Sequence, residues 1–185
     1  MKQTWRIALA GAVLALTAGP ALAQAWPSKP VRMVVPFPPG GATDAAARIY
    51  AQHLGDFLGQ GVVVENKAGA GGEIGAEYVA KSAPDGYTLL MGAVGSHAIH
   101  AAMPDKPGYD FATAFVGVSM ATSMPMAVAV NSKVPATNVQ ELIALAKSKP
   151  GTITFGSAGP GTSQHMAGEL FQVGAGTPPM HVPYP

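Results

Sequence analysis

Arg32-Met33-Val34-Val35-Pro36-Phe37-Pro38-Pro39-Gly40-Gly41-Ala42-Thr43-Asp44-Ala45-Ala46-Ala47-Arg48 is the stretch on which the fold turns. Met33 to Val35 is a short apolar, partly β-branched run, which predicts a buried strand. The prolines and glycines that follow forbid both helix and further ladder pairing, so the strand stops there. Thr43 and Asp44 are helix-capping residue types. Tyr50, Leu54, Phe57 and Leu58 then repeat at i, i+4, i+7 and i+8, the apolar stripe of a helix lying on a sheet. A strand, a rigid glycine turn and a helix N-terminus expose backbone N–H groups at the positive end of a helix dipole, where an anion is held by default. A plain strand-to-helix connection with no ligand explains this one turn equally well.

Composition narrows the class. Of 185 residues, 48% are hydrophobic and only 11% charged, against a usual charged share of about 25%. The N-terminus carries part of the apolar excess: Lys2 and Arg6 precede an apolar and small run from Ile7 to Ala18, and Ala21-Leu22-Ala23 fits a small-x-small cleavage site. Residues 1–23 are therefore expected to be a secretory signal peptide. The competing reading, a membrane anchor, needs about 20 apolar residues and this run is shorter. Two of the 11 basic residues lie in the leader, which leaves nine against ten acids in the mature chain. With the positive charges scattered singly, no basic patch exists for nucleic acid. The absence of cysteine excludes disulfides, thiolate zinc sites and a cysteine nucleophile.

Beyond the first helix, Gly59-Gln60-Gly61 closes it and Val62 to Glu65 predicts a second strand. Asn66 to Gly72 is a second glycine-rich turn, and Ile74, Tyr78 and Val79 give the next helix its apolar side. Ala83-Pro84-Asp85-Gly86 is a turn feeding a strand from Tyr87 to Met91. Gly92 to Ala102 is a small-residue loop or weak helix carrying Ser96, His97 and His100, and residues 103–115 are an irregular excursion. Alternating strands and helices joined by short glycine turns predict an α/β fold with a parallel sheet covered on both faces. Pro125 interrupts an apolar run near 123–125, where a lobe boundary is expected between residues 24–123 and 124–185. Met126 to Val130 predicts another buried strand. Thr137-x-x-Gln140 fits a capping box, Val139, Leu142, Ile143 and Ala146 a helix face, and Thr152 to Phe155 a strand.

Gly156-Ser157-Ala158-Gly159-Pro160-Gly161 then runs into Thr162-Ser163-Gln164-His165, with Met166, Leu170 and Phe171 expected on the inner helix face. A strand again meets a glycine turn, a cap residue and a helix start, and Met180 to Tyr184 looks like one further strand. Two such turns flanking a lobe boundary suggest a cleft closed on one ligand with two anionic groups. Each residue also has a plainer role. Asp44 favours a helix N-terminus, Thr43 and Thr162 cap helices, the glycines serve turn geometry, and His165 hydrogen-bonds within its own helix. His97-x-x-His100 lacks a nearby acid to complete a metal site.

Enzyme motifs fare worse. The Gly69-x-Gly71 turn has Ile74 where a dinucleotide fingerprint needs glycine, and no Gly-Lys-Ser/Thr phosphate loop exists. A nucleophile elbow at Ser157 lacks its preceding glycine, because that position is Phe155. A secreted Ser-His-type hydrolase using Ser157 or Ser163 is the enzyme alternative, and a purely structural exported domain a third class. The reading adopted is a non-enzymatic binder without cofactor or metal.

Several runs in order carry a resemblance: Val35-Pro36-Phe37-Pro38-Pro39-Gly40-Gly41 with Asp44, Val62 to Asn66, Gly69-Ala70-Gly71-Gly72 with Gly75, Pro84-Asp85-Gly86-Tyr87-Thr88-Leu89-Leu90, Ser157 with Gly159, Gly161-Thr162 and His165, and His181-Val182-Pro183-Tyr184. Together they resemble the substrate-binding proteins of tripartite tricarboxylate transporters, the Bug family. The resemblance implies a periplasmic type II-like two-lobed clamp that captures a di- or tricarboxylate or related organic acid and presents it to membrane permease subunits. It implies that ligand carboxylates are gripped by the two turns, here Pro39, Gly40, Gly41, Thr43 and Asp44 in the first, and Ser157, Ala158, Gly159, Gly161, Thr162 and His165 in the second. Ser96 joins them from the loop that shapes the family's pocket. Family members continue past the His-Val-Pro-Tyr strand and complete both lobes, so a truncated form is expected here, with a non-functional fragment as the alternative. Pro185 also stands where the family usually has a basic residue followed by glycine.

Overall fold

A computed structural model of the protein describes residues 25–103, 108–177 and 180–184. The expected leader lies outside the described residues, as do residues 104–107 of the predicted surface excursion. Strand β1, Val31–Val35, forms at the apolar run and occupies the centre of a three-stranded parallel sheet. On one side β2, Val62–Asn66, pairs with it from Val31↔Val62 to Val35↔Asn66; on the other β3, Thr88–Leu90, pairs from Arg32↔Thr88 to Val34↔Leu90. Hydrogen bonding extends past β3 at both ends, because Arg32 N–H donates to the Tyr87 carbonyl at 2.8 Å and Met91 N–H to the Val34 carbonyl at 2.8 Å. That covers the whole predicted run from Tyr87 to Met91.

Alternation along β1 sends Met33 and Val35 to one face and Val34 to the other, and all three are buried. A central parallel strand is covered on both faces, and each fully buried valine contributes about 1.5–3 kcal/mol. Helix α1, Ala42–Leu58, supplies Ala47 and Ala51 to the core beside Met33, Val35 and Met91. Helix α2, Glu73–Ala80, contacts β1 and β3.

The expected stripe on α1 is rotated. Ala47, Ala51 and Leu54 face the sheet, whereas Tyr50 is exposed and Phe57 is 86% exposed. Both stripes share the helical period and Leu54, and their centres differ by about 40° around the axis; the alanines allow the helix close to the strands. On α2 the same holds: Gly75 and Ala76 are buried and Ile74 exposed.

After β3 the chain makes a π-helical turn, Gly95–Ile99, continuing into the short α3, His100–Ala102. Helix α4, Phe111–Ala114, begins at Asp110, whose carboxylate accepts the Ala112 N–H at 2.9 Å. Helix α5, Val139–Ser148, is capped one residue later than the predicted box. Asn138 accepts the Glu141 N–H at 2.9 Å, and Glu141 reaches back to the N–H and hydroxyl of Thr137. Asparagine caps better than threonine, and glutamate at the third position closes the box.

Strands β4, Phe155–Ser157, and β5, His181–Pro183, form a separate parallel pair joined through helix α6, Ser163–Ala175. The predicted strand at Thr152–Phe155 starts pairing only at Phe155. On α6 the buried residues are Gln172 and Ala175, while Leu170 is 75% exposed and Met166 also faces out. Met126 to Val130 is no strand: it carries no ladder partner among the described residues, and Met126, Val128 and Val130 are exposed. An apolar run becomes a strand only where a neighbour accepts its backbone hydrogen bonds.

Candidate functional site

Because β1, β2 and β3 run parallel, the turns leaving their carboxyl ends gather at one edge of the sheet, where ligands of open α/β sheets bind. At the first of these turns, Gly40 adopts φ +87° and Gly41 is the N-cap of α1 without a side-chain cap. Pro39, Gly40 and Gly41 are exposed and Thr43 half-buried. Asp44 is 3% exposed and points back under the turn. It accepts hydrogen bonds from the Gly40 N–H at 2.9 Å, Arg48 Nε at 3.0 Å and Asn66 Nδ2 at 2.9 Å. The Arg48 bond above all, with the Gly40 and Asn66 bonds, holds its carboxyl well below the usual carboxylate range. Asn66 also donates to the Phe37 carbonyl at 3.1 Å and accepts from Arg48 at 3.1 Å, fastening the end of β2 to the turn after β1.

The carboxylate is therefore spent on the scaffold, and the amides are left for something else. Among the described residues, the N–H groups of Gly41, Ala42, Thr43 and Asp44 have no acceptor. These four are the orphan donors of a helix start. Arg48 and Asn66 were not among the site residues read from the sequence. Arg48 was visible as an i, i+4 partner of Asp44, whereas Asn66 joins them only through strand pairing.

The second turn is held more densely. Ser157, Gly159, Gly161 and Thr162 are buried, while Ala158 is exposed. Thr162 is the N-cap of α6: its hydroxyl donates to the Gly159 carbonyl at 2.7 Å and accepts the His165 N–H at 3.3 Å. Gly161 N–H donates to His165 Nδ1 at 3.2 Å, which makes Nδ1 an acceptor and places the ring proton on Nε2, facing Glu169 at 3.6 Å. Burial, followed by the neighbouring His181, pushes the His165 pKa down; Glu169 opposes both. The His165 and His181 rings stack at 4.2 Å, and Ser157 Oγ lies 2.6 Å from His181 Nε2 while accepting the Gly159 N–H at 3.1 Å. Ser163 and Gln164 amides have no acceptor among the described residues.

The hydrogen bonds of the first turn and those of the second share no member among the described residues. Ser96 belongs to the π-helical turn, and its side chain lies outside the described atoms. His97 and His100 part company: His97 stacks against Phe115 at 5.4 Å, and His100 is buried toward Gly71 and Gly161. No cluster of three metal-ligating side chains occurs among the described residues. A groove of about 360 Å³ lies at the opposite, amino end of the strands, lined by Lys29, Arg32, Asp85 and Tyr87 among others. Its cations are already paired, Lys29 with Asp85 at 3.7 Å and Arg32 with Glu65 at 3.1 Å. The open amides at the carboxyl ends are the better anion donors.

Comparison with known proteins identifies the family. Residues 46–185 match the family described as the tripartite tricarboxylate transporter family receptor. Protein BugT of Bordetella pertussis is 41% identical across 100% of this chain and 57% of its own length. MatC from Rhodopseudomonas palustris, solved with bound malate, superposes with a TM-score of 0.81 at 32% identity over 86% of this chain and 54% of that one. A second R. palustris protein, solved with adipate, gives a TM-score of 0.73 at 36% identity, with the same 86% and 54% coverage. The chain thus spans about half the length of the relatives it matches. The family is one of transport receptors, and a further solved relative, BugD, is described as a periplasmic binding protein; neither description is that of a hydrolase. With the family match over residues 46–185 and the similarity in fold, the chain belongs to the tripartite tricarboxylate transporter receptor family.

Proposed function

We propose that this chain carries the carboxylate-gripping half of a periplasmic receptor for a small organic acid, delivered to the permease subunits of a tripartite transporter. The observation that carries this reading is the set of open amides at Gly41, Ala42, Thr43 and Asp44, at the N-terminus of a 17-residue helix, with the one nearby carboxylate turned away into Arg48 and Asn66. A ligand carboxylate there completes donors that the fold leaves unmade and meets the positive end of the dipole. Ser163 and Gln164 offer a second pair. Pro39 and Gly40 from the first turn, Ser157, Ala158, Gly159, Gly161 and His165 from the second, and Ser96 complete the proposed ligand-binding set. The division into two sheets supports a lobe boundary near 123–125, and ligand bridging both turns favours the closed arrangement by differential contact. Malate and adipate in the two neighbours support a dicarboxylate as the ligand.

The test is a thermal unfolding series with millimolar malate, adipate and citrate. An acid present at about 100 times its Kd adds about 2.7 kcal/mol to the stability of the bound state. A rise in Tm with one of them is expected, and a transition indifferent to all three refutes the reading.

A further inference from the structure

We propose that His100 is a positioning residue for the second glycine turn, the wedge that seats residues 159–162 against the turn at 69–72. The proposal rests on the carboxylate reading above and adds a residue to it. His100 is 5% exposed, and its imidazole lies between two glycines from distant parts of the chain. A Cβ on Gly71 would stand 2.8 Å from His100 Nε2 and 2.5 Å from the Pro160 carbonyl; one on Gly161 would overlap Nε2 and Cδ2 outright. Both glycines have positive φ, +62° and +73°. The π-helical turn that leads into His100 touches the same place from its start, since a Cβ on Gly95 would stand 3.1 Å from Thr162 Cα. Three segments therefore meet on one ring, and only glycine at 71 and 161 leaves room for it.

One ring nitrogen makes no hydrogen bond among the described residues: His100 Nδ1 is buried without a partner, and Glu73 Oε2 at 3.6 Å is too far to bond. The flat ring fits the narrow space between the two glycines, where a Cβ on either side would stand within 3 Å of it. Thr162 caps α6, so the direction of the Ser163 and Gln164 amides follows the position of the turn at 159–162. Donors aimed at a ligand tolerate displacements of only about 0.5 Å.

The experiment is calorimetric titration of malate and adipate into wild type, His100→Ala, His100→Gln, Gly161→Ala and the Gly161→Ala/His100→Ala double variant, at a temperature well below each unfolding transition, together with urea unfolding of the same set. His100→Ala is expected to fold and to bind at least tenfold more weakly. The loss is expected in affinity well below the unfolding transition, a readout that reduced global stability alone would not move, and His100→Gln, whose side chain refills the place of Nε2, is expected to recover most of it. The stability loss of the double variant is expected to be smaller than the sum of the single losses, because removing the ring relieves the clash. Affinity of His100→Ala within twofold of wild type, or additive losses, overturns the proposal. If His100→Ala does not fold, Gly71→Ala approaches the same ring from its other side, and unchanged affinity in that variant overturns it as well. If wild type binds neither acid, the carboxylate reading fails, and the wedge is judged by the additivity of the unfolding data alone.

Discussion

Two glycine-to-alanine exchanges in helices should act with opposite sign. Gly75 lies in α2, where helix propensity alone favours alanine by about 1 kcal/mol. A Cβ there, however, would stand 2.8 Å from the Lys67 carbonyl oxygen and 2.8 Å from both Cα and Cβ of Pro36. Those atoms belong to the turn after β1 and the exit of β2, and Pro36 is itself fully buried. Neither can give way like the tip of a flexible side chain, so α2 must be pushed off the sheet. Overpacking of this kind costs about 1–3 kcal/mol, and contact with two backbone segments puts it in the upper half of that range. The net expectation for Gly75→Ala is a loss of about 1–2 kcal/mol, a fall in Tm of about 2–8 °C for a chain of this size. Gly174, near the end of α6, has nothing within 4 Å of its added Cβ. Gly174→Ala should therefore gain up to about 1 kcal/mol, or about 2–4 °C. Paired thermal and urea unfolding of the two variants measures this. A Gly75→Ala protein as stable as its parent would refute the argument that α2 is packed backbone-to-backbone on the sheet edge.

Asn138→Ala should remove the cap of α5 and cost about 1 kcal/mol, read as a lower urea midpoint at unchanged slope. The pH dependence follows from His165. Its pKa in the folded protein is lowered by burial and by His181 from the ordinary 6.5, so below that pH the unfolded chain binds more protons than the folded one. Stability is complete above about pH 6.5 and falls as the pH drops through the folded value. Unfolding between pH 7.5 and 5.5 should show this loss in wild type and a flatter profile in His165→Gln; parallel profiles would show that His165 does not titrate differently on folding.

Much of this protein is local in origin. The run Met33–Val35 ended by prolines and glycines, the glycine closures after helices, and the Thr162 cap all depend on residues a few positions apart, so the sequence alone determined an α/β chain with two glycine turns opening helices. It also placed the open amides, because an N-terminal helix amide is orphaned wherever its helix starts. Which helix face turns inward was decided elsewhere. Ala47 and Ala51 meet the sheet in place of Tyr50 and Phe57 because close approach to the strands is set by the strands' own side chains. Met126–Val130 has the composition of a strand and lacks one because pairing needs a second backbone. Asp44 could be read as a cap or a ligand group until Arg48 and Asn66 were brought to it, and Asn66 arrives through the β1–β2 register. The meeting of Gly71, His100 and Gly161 is the extreme case. Those residues lie 29 and 61 positions apart, no periodicity links them, and only packing that is specific in three dimensions brings one imidazole between two missing side chains.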